Sequence, residues 1–264
     1  MKKLFPFPAA LFTALALLSL GASCCWATLV EQADGTVYAS NAKLYWTKDA
    51  NLLKTLSLQD QDLIGKIIRA VPGGFIKNSP NYFDRGEHKL SKDDFQFVFN
   101  SVSVWYDSAN WWGAQAFVIY LNSIHYSGHS DWRLPSVHPI NGQMFQYDSS
   151  FTGDTDVGYN ISSLQSELAY LFYVELGNKG YYRPEGVPWP AGTGMTHKRM
   201  FQQLVEEAYW AAEEYAPRAN DAWNFAVVTG EQSGYGKNHM YGIWPVRSEE
   251  LRAALSSLIF EREI

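Results

Sequence analysis

A short segment of this chain, residues 154–160, combines oxygen-bearing side chains in a pattern that could bind a calcium ion. Asp154, Asp156 and Asn160 stand at alternating positions, with Gly158 between the last two. Carboxylate and amide oxygens are the ligands that this hard cation takes, and calcium loops often space them in this way. The segment lacks the later Glu of an EF-hand loop. Calcium is therefore the one cofactor that the sequence suggests, and a metal-free turn is the alternative.

A second segment, residues 181–189, combines three aromatic side chains with an Arg and a Glu. Residues 181–195 hold three Pro and three Gly, which predicts a long exposed loop. The candidate ligand-binding residues are Tyr181, Tyr182, Arg183 and Trp189. Tyr, Trp and Arg concentrate binding energy at interfaces. We therefore expect the loop to recognise a glycan or a protein, and the alternative is that its rings fold back as plugs over the core.

The residue patterns of common enzymes are missing from this sequence. The six histidines are dispersed, and His125 and His129 have zinc-protease spacing without the Glu that should follow the first His. Neither a Gly-x-Ser-x-Gly elbow nor a Gly-Lys-Ser/Thr phosphate loop is present. The carboxylate pairs at 206–207 and 213–214 flank predicted strands, where a solvated sheet edge explains them. We therefore expect no catalytic residues.

The elements that must position these loops are clearest in residues 112–135. Residues 112–123 are apolar on several faces, which predicts a buried helix that Asp107 or Ser108 could cap. A tight corner follows, with the sequence Asp131, Trp132, Arg133, Leu134 and Pro135. Its Arg could bind an anion through a bidentate fork, or it could pair with Asp131 or loop carbonyls to hold the corner. Arg247 has the same two interpretations.

Hydrophobic periodicity and turn residues predict the remaining elements. Helices are expected at residues 60–69 and 161–176, the second capped by Ser162 or Ser163 and ended by Gly177-Asn178. Strands are expected at residues 36–38, 44–46, 209–210, 222–228 and 241–246, with residues 229–234 forming the turn between the last two. An amphipathic helix should close the chain over residues 248–264, with its acidic residues at the positive helix end.

Five segments together resemble the Lcl C-terminal domain family (DUF1566), named after a collagen-like adhesin of Legionella. They are residues 35–51, the helix that begins at Trp112, the corner at 131–135, residues 209–217 with Trp210, and residues 244–247 with Arg247. The resemblance implies one domain over residues 28–247. It also implies an α+β, C-type-lectin-like fold similar to that of the formylglycine-generating group, with a mixed twisted sheet, two main helices and long irregular loops.

The chain departs from the family in ways that bear on function. Relatives continue from the corner into a second helix, whereas Pro139 and Gly142 oppose a helix here and delay it to Ile161. The named adhesin binds sulfated glycans, which requires a basic patch; the one modest basic cluster here is at residues 196–199. The oxidation performed by the formylglycine-generating group uses cysteines with copper, and both cysteines of this chain precede Ala27.

The first 27 residues have the layout of a secretory signal peptide. Lys2 and Lys3 are followed by an uncharged apolar stretch to Leu20 and then by small residues. We expect cleavage after Ala27 and export to the periplasm or the medium. Retention as an uncleaved anchor and lipidation at Cys24 or Cys25 are the alternatives. No later segment is long and apolar enough to cross a membrane.

Charge limits the partners of the exported chain. The 21 basic and 27 acidic residues give a net charge of −6, and loss of Lys2 and Lys3 would make it −8. An acidic chain without a basic run argues against nucleic acid as a partner. We therefore predict a non-catalytic binding module of the cell envelope or secretome, whose partner is an unknown glycan or envelope protein. A structural envelope protein without a ligand and an enzyme on the formylglycine-generating scaffold are the alternatives.

Overall fold

The computed structural model describes residues 29–77, 87–96 and 108–249. The predicted signal peptide lies outside the described residues, and so does the predicted C-terminal helix beyond Glu249. Ser248, the predicted start of that helix, is the last residue of a strand. Within the described ranges, no helix has the length and apolar character that crossing a membrane requires.

Four α-helices, three short 3-10 helices and thirteen strands occur in the described residues. The helices are α1 (Leu52–Gln59), α2 (Leu63–Ala70), α3 (Trp111–Ser123) and α4 (Glu167–Tyr170), which continues as a π-helical turn over Leu171–Glu175. The strands are β1 (Leu29–Glu31), β2 (Thr36–Ala39), β3 (Leu44–Thr47), β4 (Phe75–Lys77), β5 (Glu87–Lys89), β6 (Phe95–Gln96), β7 (Ser108–Ala109), β8 (Ser149–Ser150), β9 (Val157–Gly158), β10 (Ala208–Glu214), β11 (Asp221–Ala226), β12 (Glu231–Gly236) and β13 (Val246–Ser248).

Most of these strands belong to two sheets. The first sheet has the order β1-β2-β3-β13 and is antiparallel throughout. The second has the order β10-β11-β12-β9-β8, and its edge pair β8–β9 is parallel. The combination of helices and sheets confirms the predicted α+β class. The described residues form two main sheets and four helices, where one sheet and two main helices were predicted.

Large aromatic side chains fill the core of this arrangement. Trp46, Trp210 and Trp244 are fully buried, and the Trp46 and Trp244 rings meet edge to face at 5.3 Å. The indole N–H of Trp210 donates to the carbonyl of Ala109 at 2.9 Å, so burial of the ring leaves no orphaned donor. Rings whose polar groups are satisfied can therefore anchor a fold that is rich in loops.

The predicted helix at residues 112–123 is confirmed as α3, but its predicted cap is wrong. The side chain of Asn110 accepts a hydrogen bond from Gly113 N at 2.9 Å, while Ser108 lies in β7. Asp107 lies outside the described residues. Asn110 also donates to the buried carboxylate of Asp94 at 2.7 Å. This long-range hydrogen bond fixes Asn110 as the cap, and local sequence could not show it.

The predicted start of the second long helix is also wrong. Residues 161–166 are not helical, and α4 begins at Glu167. Ser166 bridges to Val137, and its hydroxyl donates to the buried amide of Gln232 at 2.7 Å. These tertiary hydrogen bonds outweigh the local helical pattern. The predicted helix at residues 60–69 corresponds to α2, and α1, which precedes it, was not predicted.

The C-terminal strands differ from the prediction as well. Residues 229–234 were expected to form a turn, but Glu231–Gly236 is the central strand β12. Gly234 belongs in this strand because the ring of Tyr215 packs directly against it and leaves no room for a side chain. Residues 241–245 form no strand, and β13 instead joins the first sheet beside β3.

Candidate functional site

The carboxylate of Asp156, a candidate calcium ligand, accepts hydrogen bonds from backbone amides of the loop that precedes it. The side chain is fully buried; its Oδ1 accepts from Ile140 N at 2.8 Å and its Oδ2 accepts from Gln146 N at 2.7 Å. Both carboxylate oxygens therefore have backbone donors. Asp156 thus shapes the loop that leads from the corner to β8.

The other two candidate ligands have roles of their own. Asp154 accepts from the hydroxyls of Ser150 and Thr152, and these hydrogen bonds hold the pKa of its carboxyl below the usual value. Asn160 has a φ of +59°, and its side-chain amide donates to other loop segments. Across the described part of the chain, no group of three or more His, Cys, Asp or Glu side chains is placed to hold a metal ion.

Asn160 joins the two loops that the sequence singled out. Its Nδ2 donates to the carbonyl of Phe151 at 2.7 Å and to the carbonyl of Tyr182 at 3.0 Å. The Tyr182 ring then packs 4.8 Å from the ring of Phe151 and 5.0 Å from that of Tyr159. Tyr182 is therefore a half-buried plug between the loops, as one of the two alternatives predicts.

Trp189 is stacked with two cationic side chains. The guanidinium carbon of Arg183 lies 4.4 Å from the ring centroid, and Nζ of Lys179 lies 4.6 Å from it. The loop is closed by its own backbone, since Trp189 N donates to the Tyr181 carbonyl at 3.0 Å. Tyr181 N in turn donates to the carbonyl of Thr229, which follows β11. A well-defined scaffold thus presents the ring and its two cations.

Several apolar side chains around this stack remain exposed to solvent. The exposed fractions are 39% for Phe151, 44% for Tyr181, and 53% for both Val187 and Val228. We call the surface formed by these four residues with Lys179, Arg183 and Trp189 the loop face. Val228 borders it because Gly194, which bridges to Lys179, packs against the Val228 carbonyl. Exposed apolar groups that cluster in this way mark interaction surfaces.

The two cations of the loop face are not paired with any described carboxylate, although exposed Glu185 lies two residues after Arg183. Among the described residues, neither Lys179 nor Arg183 forms an ion pair or a side-chain hydrogen bond. The Nε of Arg183 is buried without a hydrogen-bond partner. A guanidinium that is held in place but unpaired can still receive an anionic group through its planar fork.

Two cavities lie beside the loop face and share Thr196. The smaller, of about 210 Å³, is lined by Thr193, Gly194, Met195, Thr196, Glu206, Val227 and Val228. The larger, of about 500 Å³, is lined by Leu176, Gly177, Thr196, His197, Lys198 and Arg199. The modest basic cluster at residues 196–199 thus lines a cavity. Buried Asn178 holds this segment, since its Oδ1 accepts from His197 N at 2.7 Å.

The corner Arg has a partner that the sequence did not indicate. Arg133 donates to Glu167 of α4 through both terminal nitrogens, at 2.7 and 2.8 Å. It also donates to the Leu134 carbonyl at 3.1 Å, as one alternative predicted. Asp131, the predicted carboxylate partner, is exposed, and no ion pair joins it to Arg133. The carboxylate partner of Arg133 is therefore Glu167 and not Asp131. This corrects the prediction and supports a structural role for Arg133.

The carboxylates at 213 and 214 are not the solvated edge that was predicted. Glu213 accepts from Val137 N at 2.7 Å, just after the corner. Burial raises the pKa of the Glu213 carboxyl to about 7, and the charge of nearby Glu167 adds to the shift. Glu214 pairs with the buried ammonium of Lys237 at 2.5 Å. Both side chains therefore have partners within the fold and are not solvated.

Comparison with known families supports the resemblance. The family model described as the Lcl C-terminal domain matches residues 35–247. The chain belongs to the Lcl C-terminal domain family. Comparisons with curated proteins and with solved structures gave no match.

The motif residues of this Lcl C-terminal domain are mostly buried supports. Trp132 donates from its indole N–H to the Tyr126 carbonyl at 3.0 Å, and Leu134 and Pro135 are buried beside it. Trp112 stacks on His88 at 4.0 Å. Arg247 lies 4.0 Å over the ring of Tyr45 and is itself buried. The motif therefore holds the scaffold, and the loop face lies outside it.

Two residues of the Lcl C-terminal domain loops were missed by the sequence reasoning. Lys179 lies just before the predicted aromatic loop, and Phe151 lies just before the predicted calcium segment. Their positions next to the two predicted loops were the one sequence signal that could have identified them. Their convergence depends on Asn160 and on the turn after β11, which no local pattern shows.

Proposed function

We propose that this chain is an exported, non-catalytic binding module and that the loop face is its recognition surface. One observation carries the proposal: a scaffold of hydrogen-bonded loops presents exposed apolar side chains around a Trp stacked with two cations that form no ion pair with a described residue. Rigid presentation favours binding because little conformational entropy is lost when a partner docks. Loops held by a scaffold are the usual carriers of recognition residues.

The family membership supports this proposal. The resemblance links the chain to a domain named after an adhesin, and an adhesin acts by binding. The C-type-lectin-like fold is part of the proposal, supported by the corner and the long loops. Calcium is not part of it, because both carboxylate oxygens of Asp156 already accept backbone hydrogen bonds. The expected signal peptide places the module in the periplasm, on the envelope or in the medium.

The test compares a double variant of the loop face with a matched control. Tyr181→Ala with Trp189→Ala removes one exposed ring and the stacked ring. Tyr235→Ala removes a ring of similar exposure, 45%, that lies on β12 outside the loop face. The purified chain is screened on a glycan array and against envelope proteins, and each positive is repeated with the variants.

We expect the double variant to lose the positives that the wild type and Tyr235→Ala retain, with all three melting at similar temperatures. Retention of the same positives by a folded double variant would place recognition elsewhere. A double variant that unfolds would show that the loops are structural, which favours a structural envelope protein.

A further inference from the structure

Three polar side chains beside the loop face, those of Asp154, Asn160 and Asn178, are already occupied. Asn160 donates both of its described hydrogen bonds to loop carbonyls, and Asp154 accepts from two neighbouring hydroxyls. Asn178 donates to the His197 carbonyl at 3.1 Å and accepts from His197 N. A site for a neutral sugar needs side chains that can donate and accept together toward hydroxyl groups. These amides and this carboxylate instead hold the loops.

The groups that remain available are mainly apolar or cationic, and exposed Glu185 is the one carboxylate of segment 179–189. Phe151, Tyr181, Val187 and Val228 expose apolar surface, and Lys179 and Arg183 carry positive charges that form no ion pair with a described residue. The smaller adjoining cavity, of about 210 Å³, is lined by Met195, Val227 and Val228, which suit one apolar side chain, and also by Thr193, Thr196 and Glu206. A partner that matches this surface must carry both apolar side chains and negative charge.

Charge complementarity further restricts the class of partner that the loop face can bind. The chain as a whole has a net charge of −6, so its general field repels an acidic partner. Segment 179–189 is a local exception, because its two cations, Lys179 and Arg183, outnumber its one carboxylate, Glu185. Opposite charges across an interface fix the register and accelerate association. The stack on Trp189 also orients the Arg183 fork, and an oriented guanidinium receives a carboxylate in bidentate fashion.

We propose that the loop face binds an acidic polypeptide segment with interspersed apolar side chains. An Asp or Glu of the partner pairs with Arg183, a second acidic residue lies near Lys179, and an apolar side chain enters the smaller cavity. This inference rests on the proposed function, because it assumes that the loop face is the recognition surface. It goes further in naming the class of partner.

The probe is a random peptide library displayed against the purified chain, followed by synthesis of the enriched peptides. The wild type is compared with the double variant Lys179→Glu with Arg183→Glu and with Lys92→Glu, which reverses an exposed charge outside the loop face. Circular dichroism and melting temperature establish that each variant folds. Sulfated dextran and neutral oligosaccharides are titrated in parallel.

We expect the wild type to enrich peptides rich in Asp, Glu and apolar residues, with an affinity that falls as salt rises. The charge-reversed variant should bind those peptides roughly tenfold more weakly or worse, the scale of losing charge-assisted hydrogen bonds. It should instead enrich peptides rich in Lys and Arg, while Lys92→Glu behaves as the wild type.

Enriched peptides without an acidic bias, or an acidic bias that survives charge reversal, would overturn the inference. Binding of sulfated dextran or of a neutral oligosaccharide that depends on the loop face, with no peptide enrichment, would overturn it in favour of a glycan. Such a result would leave the proposed function standing. Failure of the proposed function is recognised separately, when Tyr181→Ala with Trp189→Ala changes none of the screening positives.

Discussion

Arg133 and Glu167 form a bidentate pair that ties the corner to α4. The two hydrogen bonds measure 2.7 and 2.8 Å and span 34 residues of chain. The same carboxylate accepts from Ser136 N at 2.8 Å, so one Glu satisfies both the corner side chain and the corner backbone. The pair is partly shielded from solvent, which strengthens it relative to an exposed ion pair. The loops that follow the corner are thus positioned by a residue of a different element.

Glu167→Ala should therefore destabilise the domain by about 1–3 kcal/mol, the scale of losing hydrogen bonds to a charged group that stays partly buried. Chemical denaturation measures the loss. Glu31→Ala is the control, because Glu31 pairs with Lys48 at the surface and its loss should change little. Equal effects of the two substitutions would contradict the structural role of the corner pair.

The Glu213 carboxyl should make stability depend on pH. Its pKa is raised to about 7 from a usual 4.5, so the folded state keeps a proton that the unfolded state releases. The resulting stabilisation is present below about pH 4.5 and is lost as the pH rises through 7. Burial likewise raises the pKa of Glu175 and of Glu207, which therefore contribute with the same sign.

Glu213→Gln should flatten that profile without removing it. The Gln amide oxygen can still accept from Val137 N, but the side chain no longer ionises. Melting temperatures across this pH range should therefore decline less in the variant than in the wild type, and the variant should be the more stable above pH 7. Identical slopes for the two proteins would show that Glu213 does not titrate in this range.

The parts of this fold that the sequence predicted are those encoded locally. Helix α3 follows from a run of apolar residues, and strand β3 follows from the short apolar run at 44–46. Strand β12 was missed because its glycines resemble a turn, whereas Gly234 is required by the Tyr215 ring. Residues 161–166 were predicted helical because only long-range contacts make them irregular, namely the bridge of Ser166 to Val137 and its hydrogen bond to Gln232.

The candidate site, like the fold, was predicted only where local residue types are sufficient. Tyr181, Arg183 and Trp189 were selected by residue type, and the structure places all three in the loop face. Tyr182 was selected on the same grounds but packs between the loops. Tyr182 is turned inward by contacts with Phe151 and Tyr159, which are distant in sequence. Composition alone therefore could not show which of the four candidate residues is exposed.

Trp132→Ala should destabilise the domain by about 3–5 kcal/mol, as truncations of large buried aromatics do. Only 2% of the side chain is exposed, and its N–H donates to the Tyr126 carbonyl at 3.0 Å. Trp189→Ala should cost much less, because the Trp189 ring is only half-buried at the surface. Denaturant titration of both variants gives the comparison. A similar loss for both would indicate that the loop stack is as important to the core as the corner.

Calcium should leave the stability of the wild type unchanged, because Asp156 uses both carboxylate oxygens on backbone amides. Melting temperatures with added calcium and with a chelator should coincide. Asp156→Asn should lose about 1–3 kcal/mol, since its amide nitrogen cannot accept from one of the two N–H groups. A rise in wild-type melting temperature with calcium would restore Asp154, Asp156 and Asn160 as metal ligands.

Asn160→Gly should remove hydrogen bonds that support the loop face while every residue of the loop face stays unchanged. Glycine accepts the φ of +59° without strain, so the backbone can persist while the hydrogen bonds to Phe151 and Tyr182 are lost. We expect a stability loss of about 1–2 kcal/mol, from two neutral hydrogen bonds in a partly exposed site. Amide hydrogen exchange should become faster in both loops because they are no longer joined. Ligands that need the loop face should bind more weakly although every contact residue is unchanged.

Unaltered exchange in the two loops would mean that aromatic packing of Tyr182 alone holds them together, and Tyr182→Ala should then produce the loosening that Asn160→Gly does not.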